Sequence, residues 1–336
     1  MDKTRSLHHF VPQFYLRNFE SRSVGQNHYI FLYQRTREIT EPNIRSVGSE
    51  KSFYTVQEKS TLKDSSMIED MFDKIEGKTA PIFKKIIDKD SIYLSEEEKA
   101  ELDYFLALLY VRTPGFRKVQ TDGYKIALKH YLRTMAANRD YFRKSMMEVT
   151  ETKSNLEIDD LREKAYNFDK YFTLEAEGGE SGLLKLALED SKAIAPCFYM
   201  KTLHLITSIG KAVFITSDNP VVLIPQDRLY GKGPIHSTII LPISPKKCIL
   251  YHNEKKKDKI FISEEQVRKI NQCVMSSSNN FIYSNLVSKK ILKAFTITPH
   301  GDRLASRSMF SASGSLLISS IDPGPYLEKD IFGDRF

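Results

Sequence analysis

Three stretches, far apart in the chain, carry side chains that could do chemistry together. The first is Leu7-His8-His9-Phe10-Val11-Pro12-Gln13-Phe14-Tyr15-Leu16-Arg17-Asn18-Phe19. Imidazole is a base near neutral pH or a metal ligand, and two stand side by side here. Successive side chains of an extended segment point to opposite sides, so one of His8 and His9 faces a given pocket. Arg17 sits among Phe14, Tyr15, Leu16 and Phe19, where a guanidinium is costly to bury without an anion. In the plainer alternative Arg17 reaches water along its own stem and the histidines cap the following helix.

The second stretch is Phe214-Ile215-Thr216-Ser217-Asp218-Asn219-Pro220. A buried strand delivers hydroxyl, carboxylate and amide groups at its end, and Pro220 forces a turn. Such a set can bind a divalent cation, hold a water, or grip a ribose or phosphate. The same residues can instead form an Asx-turn that satisfies only its own backbone. The third stretch is helical. Glu69, Asp73 and Glu76 fall at i, i+4 and i+7 and share one face. Arg112 follows an apolar stripe through Leu109 and stands directly before Thr113-Pro114. Buried, it needs a carboxylate, which Asp218 or Glu76 can supply. It then either holds a phosphate or staples the helical part to the β part. Asn271 joins these candidates because it neighbours the Ile270 and Val274 side of a later helix.

These residues need elements to position them. Pro12–Phe19 reads as a short helix, His28–Tyr33 as a strand and Ser52–Val56 as another. Ile68, Phe72 and Ile75 repeat at helical spacing. Ser95-Glu96-Glu97-Glu98 is a capping box opening a helix that Thr113-Pro114 ends. Pro114 starts a long helix running to about residue 150, and the polar stretch Thr150–Asp160 is a loop. An apolar helix follows from about Leu183 to Leu205. From Lys211 the pattern turns to strands: Ala212–Thr216, Val221–Ile224, Ser237–Ile243, Cys248–Tyr251 and Phe281–Tyr283. Ser263-Glu264-Glu265-Gln266 caps one more helix, and Glu254–Lys259 reads as a basic hairpin tip. The expected fold is α+β: a helical central region (61–205) packed against a small N-terminal unit (1–60) and a β-rich C-terminal part (206–320), together one compact unit.

Composition narrows the classes. Of 336 residues, 41% are hydrophobic and 28% charged, with 20 Phe and 17 Tyr, which is enough to bury a core and excludes a mainly disordered chain. No run of eighteen apolar residues occurs, and the start is polar, so neither a membrane span nor a secretory leader is expected and the expected location is the cytoplasm. The three cysteines form no C-x-x-C pair, which argues against a disulfide framework and a zinc ribbon. The net charge is +7, and residues 201–303 hold 16 Lys and Arg against 7 Asp and Glu. That half can attract an anionic partner such as nucleic acid or a nucleotide, or can simply keep the surface solvated. No phosphate-cradling G-x-x-x-x-G-K-[ST] loop, G-x-G-x-x-G, H-E-x-x-H or G-x-S-x-G appears, so ATPase, dinucleotide oxidoreductase, zincin and α/β-hydrolase readings fall away.

Two resemblances add to this. Leu7-His8-His9-x-x-Pro12 resembles the opening of HNH-type nucleases, with Asn27-His28 in the place of the hairpin asparagine. The next histidine, His130, comes far too late for a compact finger. The segment His9–Phe19 also resembles the N-terminal signature of a bacterial family, the domain of unknown function 4238 family. Arg112-Thr113-Pro114, Ile215–Pro220 and Leu241-Pro242-Ile243-Ser244-Pro245 fit that family's pattern, and their order extends the likeness from about residue 5 to 290. The resemblance implies a stand-alone prokaryotic protein, and because similar genes occur among anti-phage defence genes it implies a role there, with a phage component as trigger. His8 lies outside the signature, which favours His9.

The combined expectation is a defence effector that cleaves a phosphodiester in nucleic acid or a nucleotide. His9, Asp218 and Asn219 would carry the chemistry, Arg17, Arg112 and Ser217 would hold substrate, and His8, Glu69, Glu76 and Asn271 would stand nearby. His9 and Asp218 would be the ligands of a divalent cation if one is used. The alternative is a non-catalytic sensor or interaction protein in which the same residues form a structural network or a ligand pocket.

Overall fold

The computed structural model describes residues 7–36, 38–51, 65–149, 154–173, 179–226, 233–254, 259–299, 304–311, 314–321 and 324–335. The chain is α+β and forms two compact units. One comprises Met1–Arg117, Gly178–Arg303 and Ile321–Phe336, the other Lys118–Glu177 and Leu304–Ser320. Among the described residues, no helix is long and apolar enough to cross a membrane.

The first unit is built around a five-stranded sheet in the order Lys259–Ile262, Thr202–Ser208, Lys247–His252, Ser237–Pro242, Val222–Pro225. Only the first pair is parallel. Alternation along these strands sorts the side chains onto two apolar faces. Leu203, Leu205, Leu223, Ile239, Leu241, Ile249 and Tyr251 join one core with Phe83, Phe105 and Phe198 of three helices, Ser65–Lys89, Glu96–Val111 and Gly179–Tyr199. Ile206, Val222, Ile224, Ile240, Cys248, Leu250, Ile260 and Ile262 join a second core with Val267, Ile270 and Val274 of the Glu264–Ser277 helix. Cover on both sides explains why the central strands read as unbroken apolar runs rather than as half-polar ones. One polar seam crosses the first core: Tyr251 donates to Asp103 at 2.7 Å, and Lys99 holds the other carboxylate oxygen.

A four-stranded sheet, Ile39–Thr40, Phe31–Gln34, Phe281–Ser284, Thr216–Ser217, ties the N-terminal segment to the C-terminal half. A small pair, Leu7–His9 against Ser49–Lys51, lays the histidines beside Ser49 and Glu50. Two helices start where their capping sequences say. Ser95 and Ser263 both close reciprocal capping boxes, with Glu98 and Gln266.

Elsewhere the local signals are overridden. The helix read to Leu205 stops at Tyr199, and Thr202–Ser208 is a strand, because its β-branched residues pair with Lys247–His252. The segment read as a strand from Ala212 pairs only over Thr216–Ser217. The long helix after Pro114 breaks at Asn138, whose Oδ1 accepts Tyr141 N–H and caps a second helix, Arg139–Val149. A helix, Asn155–Tyr166, begins inside the stretch read as a loop. Lys247–His252 and Lys259–Ile262 are separated by Thr202–Ser208, so the basic run between them joins no hairpin. The strand read at Ser52–Val56 lies outside the described residues. In the second unit, Met135, Ala136, Phe142, Ile158 and Ala165 form a separate small core.

Candidate functional site

The strings singled out in the sequence meet inside the first unit. Tyr15, from the short helix Gln13–Leu16, is fully buried. Its hydroxyl donates to the Pro242 carbonyl and shares a hydrogen bond with Thr216 Oγ1. Thr113, at the break between two helices, donates to Asn219 Oδ1 at 3.3 Å, and Asn219 Nδ2 donates to the Ser277 carbonyl at 3.0 Å. One polar lattice thus joins the His9–Phe19, Arg112–Pro114, Ile215–Pro220 and Leu241–Pro245 strings.

Most of that lattice serves the backbone. Asp218 Oδ1 accepts Asn279 N–H, and Oδ2 accepts those of Asn280 and Phe281. Burial pushes its carboxyl up to about 6, while these three amides, and more weakly the Arg35 guanidinium, pull the other way. Ser217 Oγ donates to Asn219 O and accepts Asn219 N–H, a local turn. Asn271 accepts Ile215 N–H at 3.2 Å and donates to Val213 O at 2.8 Å, standing in for a strand neighbour. Arg35 spends its guanidinium on the carbonyls of Met275, Phe295 and Thr298.

Arg112 is different. Its side chain is 1% exposed, between the rings of Phe72 and Phe105. Nη1 donates to Glu76 Oε1 at 3.0 Å. Nε and Nη2 are buried and meet no acceptor among the described residues. Those two nitrogens form the side-on edge of the guanidinium, the fork that fits two oxygens of a phosphate or carboxylate. Glu76 stays partly accessible, and burial raises its carboxyl while Arg112 lowers it.

Arg112 also acts electrostatically on His9. His9 Nε2 lies 3.2 Å from the Arg45 carbonyl, which can only accept, so the neutral ring carries its proton on Nε2 and its lone pair on Nδ1. Burial lowers its pKa most, the Arg45 carbonyl opposes this, and Arg112 and His8 add to the lowering. His9 is therefore an uncharged base at neutral pH.

Two further groups belong to this neighbourhood. Ser49 is the cross-strand partner of His9, and its buried hydroxyl has no hydrogen-bond partner among the described residues. Tyr283 is fully buried, and its hydroxyl lies beside Gly48 N–H without closing a well-formed hydrogen bond. Sequence reasoning passed over both. Ser49 carries no local signal, and only the pairing of residues 7–9 with 49–51 reveals it.

The remaining candidates are placed as follows. His8 is buried and pairs across from Glu50, which bridges to Arg117 at 3.1 Å. Arg17 is exposed at the start of a 3-10 turn. Glu69 lies in the Ser65–Lys89 helix, with its side chain outside the described residues. Among the described residues, no three His, Cys, Asp or Glu side chains gather as metal ligands. The Arg22–Tyr29 hairpin commits Asn27 to Asn43 and His28 to Glu20, so the pair that would complement His9 in an HNH finger is engaged elsewhere.

The family model described as "Protein of unknown function (DUF4238)" matches residues 7–287, which span all of the convergence described above. No curated protein and no solved structure matches the chain.

Proposed function

We propose that this chain, which belongs to the DUF4238 family, holds a phosphate on the Arg112 fork and cleaves a phosphodiester of nucleic acid or a nucleotide beside His9. The observation that carries this is the pair of buried guanidinium nitrogens without an acceptor among the described residues. A buried donor left unsatisfied costs about 1–3 kcal/mol, and more when charged, so a fold that keeps two of them implies an occupant. A phosphate diester offers two oxygens at the right spacing for that edge. In the reaction, His9 takes a proton from water, the hydroxide attacks phosphorus, and the ester oxygen leaves and is protonated from solvent. Asp218, Ser217, Asn219 and Asn271 take no part in the chemistry; they hold the turns that bring Thr113 and hence Arg112 into place. The setting is anti-phage defence, a reading that rests on the likeness of the four sequence strings alone.

The test is a phage challenge with folded His9→Ala and Arg112→Lys variants, paired with cleavage assays on RNA, DNA and dinucleotides. Loss of protection and of product supports the proposal. Full protection by both variants, each shown to be folded, sinks it.

A second reading has its own support. So many polar atoms of the site are spent on backbone that the fork suits a non-catalytic ligand pocket. That reading predicts phosphate binding that needs Arg112, with no product formed under any substrate.

A further inference from the structure

The first unit contains an opening, framed by the segment after Gly210 and by the helices Glu264–Ser277 and Lys289–Ile297. It is a cavity of about 390 Å³, within the size range of small-ligand sites. Ala212, Val213, Met275, Leu286, Ile291 and Ala294 line it, and Lys211, Arg268 and Lys290 add cations.

Local chemistry explains why it is open and why it is positive. Asn271 satisfies Val213 O and Ile215 N–H, so this segment needs no strand beside it there. A Cβ on Gly210 would come 2.3 Å from Glu264 Cγ, so only glycine lets the Glu264 side chain lie over this backbone. Glu264 then accepts Lys211 N–H at 2.6 Å and pairs with Arg268 at 2.8 Å. The one acid among the described lining residues is thereby neutralised: the Lys211 amide, with Arg268, holds its carboxyl below the usual range against the opposing pull of burial. Lys290 makes no ion pair among the described residues. It sits in the first turn of a helix capped by Ser288, whose Oγ accepts Ile291 N–H, where the amide dipoles also favour an anion.

We propose that this cavity binds an aliphatic molecule with a single anionic head, an alkyl carboxylate or alkyl phosphate. The chain lies along Val213, Met275, Ile291 and Ala294, and the head meets Lys290 and Lys211. Among the described residues no aromatic ring lines the cavity, so it offers no platform for a stacked base, and the nucleic acid of the first site is the wrong ligand here. The inference is independent of the Arg112 site.

The experiment is displacement of anilinonaphthalene sulfonate fluorescence from the full chain by octanoate, octyl phosphate and octanol. Octanoate or octyl phosphate displaces the dye saturably, and octanol is at least about tenfold weaker, the worth of one ion pair. Lys290→Glu, an exposed change that leaves the fold intact, weakens the anions about fivefold or more and leaves octanol unchanged. Ala294→Phe fills the cavity and removes all three; if it fails to fold, the Lys290 variant decides alone. The proposal is overturned if neither anion competes at millimolar concentration, if octanol competes as well as they do, or if Lys290→Glu changes nothing.

Discussion

The Tyr15 hydroxyl donates to the Pro242 carbonyl at 2.6 Å and receives a hydrogen bond of the same length from Thr216 Oγ1, 201 positions away along the chain. All three groups are buried, so removing the one oxygen strands two partners in an apolar core. Tyr15→Phe is expected to lower unfolding stability by about 2–3 kcal/mol, more than one net hydrogen bond, because Thr216 and Pro242 lose their shared partner. Urea denaturation of the two proteins measures it. A loss under about 0.5 kcal/mol would mean that the strings are not joined through this oxygen.

The neighbourhood of His9 makes a prediction with a sign. Its folded pKa lies below the ordinary 6.5, mainly through burial. As pH falls, the unfolded chain takes up this proton first, so the contribution of His9 to stability is present above 6.5 and is lost as pH drops through the lowered folded value. An anion on the Arg112 fork reverses part of the effect, since negative charge nearby favours imidazolium. Proton NMR of the His9 ring should show a midpoint below 6.5 that moves up when inorganic phosphate saturates the protein. A midpoint indifferent to phosphate separates His9 from the fork.

Asp218 behaves oppositely. Its carboxyl is raised to about 6 by burial, against an unfolded value near 3.8. Between those values the folded chain holds a proton that the unfolded chain has released, so this residue favours folding most at low pH and loses that contribution as pH rises through about 6. Asp218→Asn cannot titrate and turns an N–H₂ toward backbone amides. It should be destabilised throughout, with the gap to the parent narrowing from pH 5 to about pH 7. Thermal melts across that range check it; a gap that widens gives the three amide hydrogen bonds the upper hand over burial.

These roles mark how far the sequence could be read. The α+β class, the capped helices and the meeting of three distant stretches were legible because polar residues beside prolines interrupt apolar runs where the chain must turn in a buried place; that Leu241–Pro245 joins them through the Pro242 carbonyl was not. Glu76 and Asp218 were both candidates for the Arg112 carboxylate, and the fold takes Glu76. What Asp218 does was not legible. Its partners are the amides of residues 279–281, which every sequence supplies and none advertises. Ser49 and Tyr283 were missed for the related reason that strand register at long range decides what they face. Arg17 drew notice for its apolar neighbours, but a helical turn leaves it on the outside.

Arg112 can be split into its charge and its shape. Arg112→Met leaves Glu76 facing an apolar pocket and should cost about 3 kcal/mol, the scale of a broken buried ion pair, reduced by the partial access of Glu76 to water. Arg112→Lys keeps a charge near Glu76 but has no side-on edge. It should retain most of the stability, within about 1–2 kcal/mol, and lose phosphate affinity at least tenfold. Calorimetric titration of inorganic phosphate alongside denaturation separates the two. Equal phosphate affinity in the lysine variant removes the fork from the site.

Gly48 sets the geometry behind these residues. Its φ is +62°, and its carbonyl accepts both Phe10 and Val11 N–H at 2.9 and 3.0 Å. That pair of hydrogen bonds anchors the chain just after His9, while the next residue, Ser49, pairs with His9 itself. A Cβ here would lie 3.0 Å from Val11 Cβ and 3.3 Å from Leu16 Cδ1, in a backbone region that costs a non-glycine residue about 1 kcal/mol or more. Gly48→Ala therefore meets strain and crowding together and should destabilise by about 2–3 kcal/mol. Because the crowded atoms belong to the His9–Phe19 string, the chain can relieve them only by shifting that string. The His9 midpoint should then drift toward 6.5 as its burial loosens. A destabilised variant with an unmoved His9 titration would show that Gly48 serves the fold without setting the site.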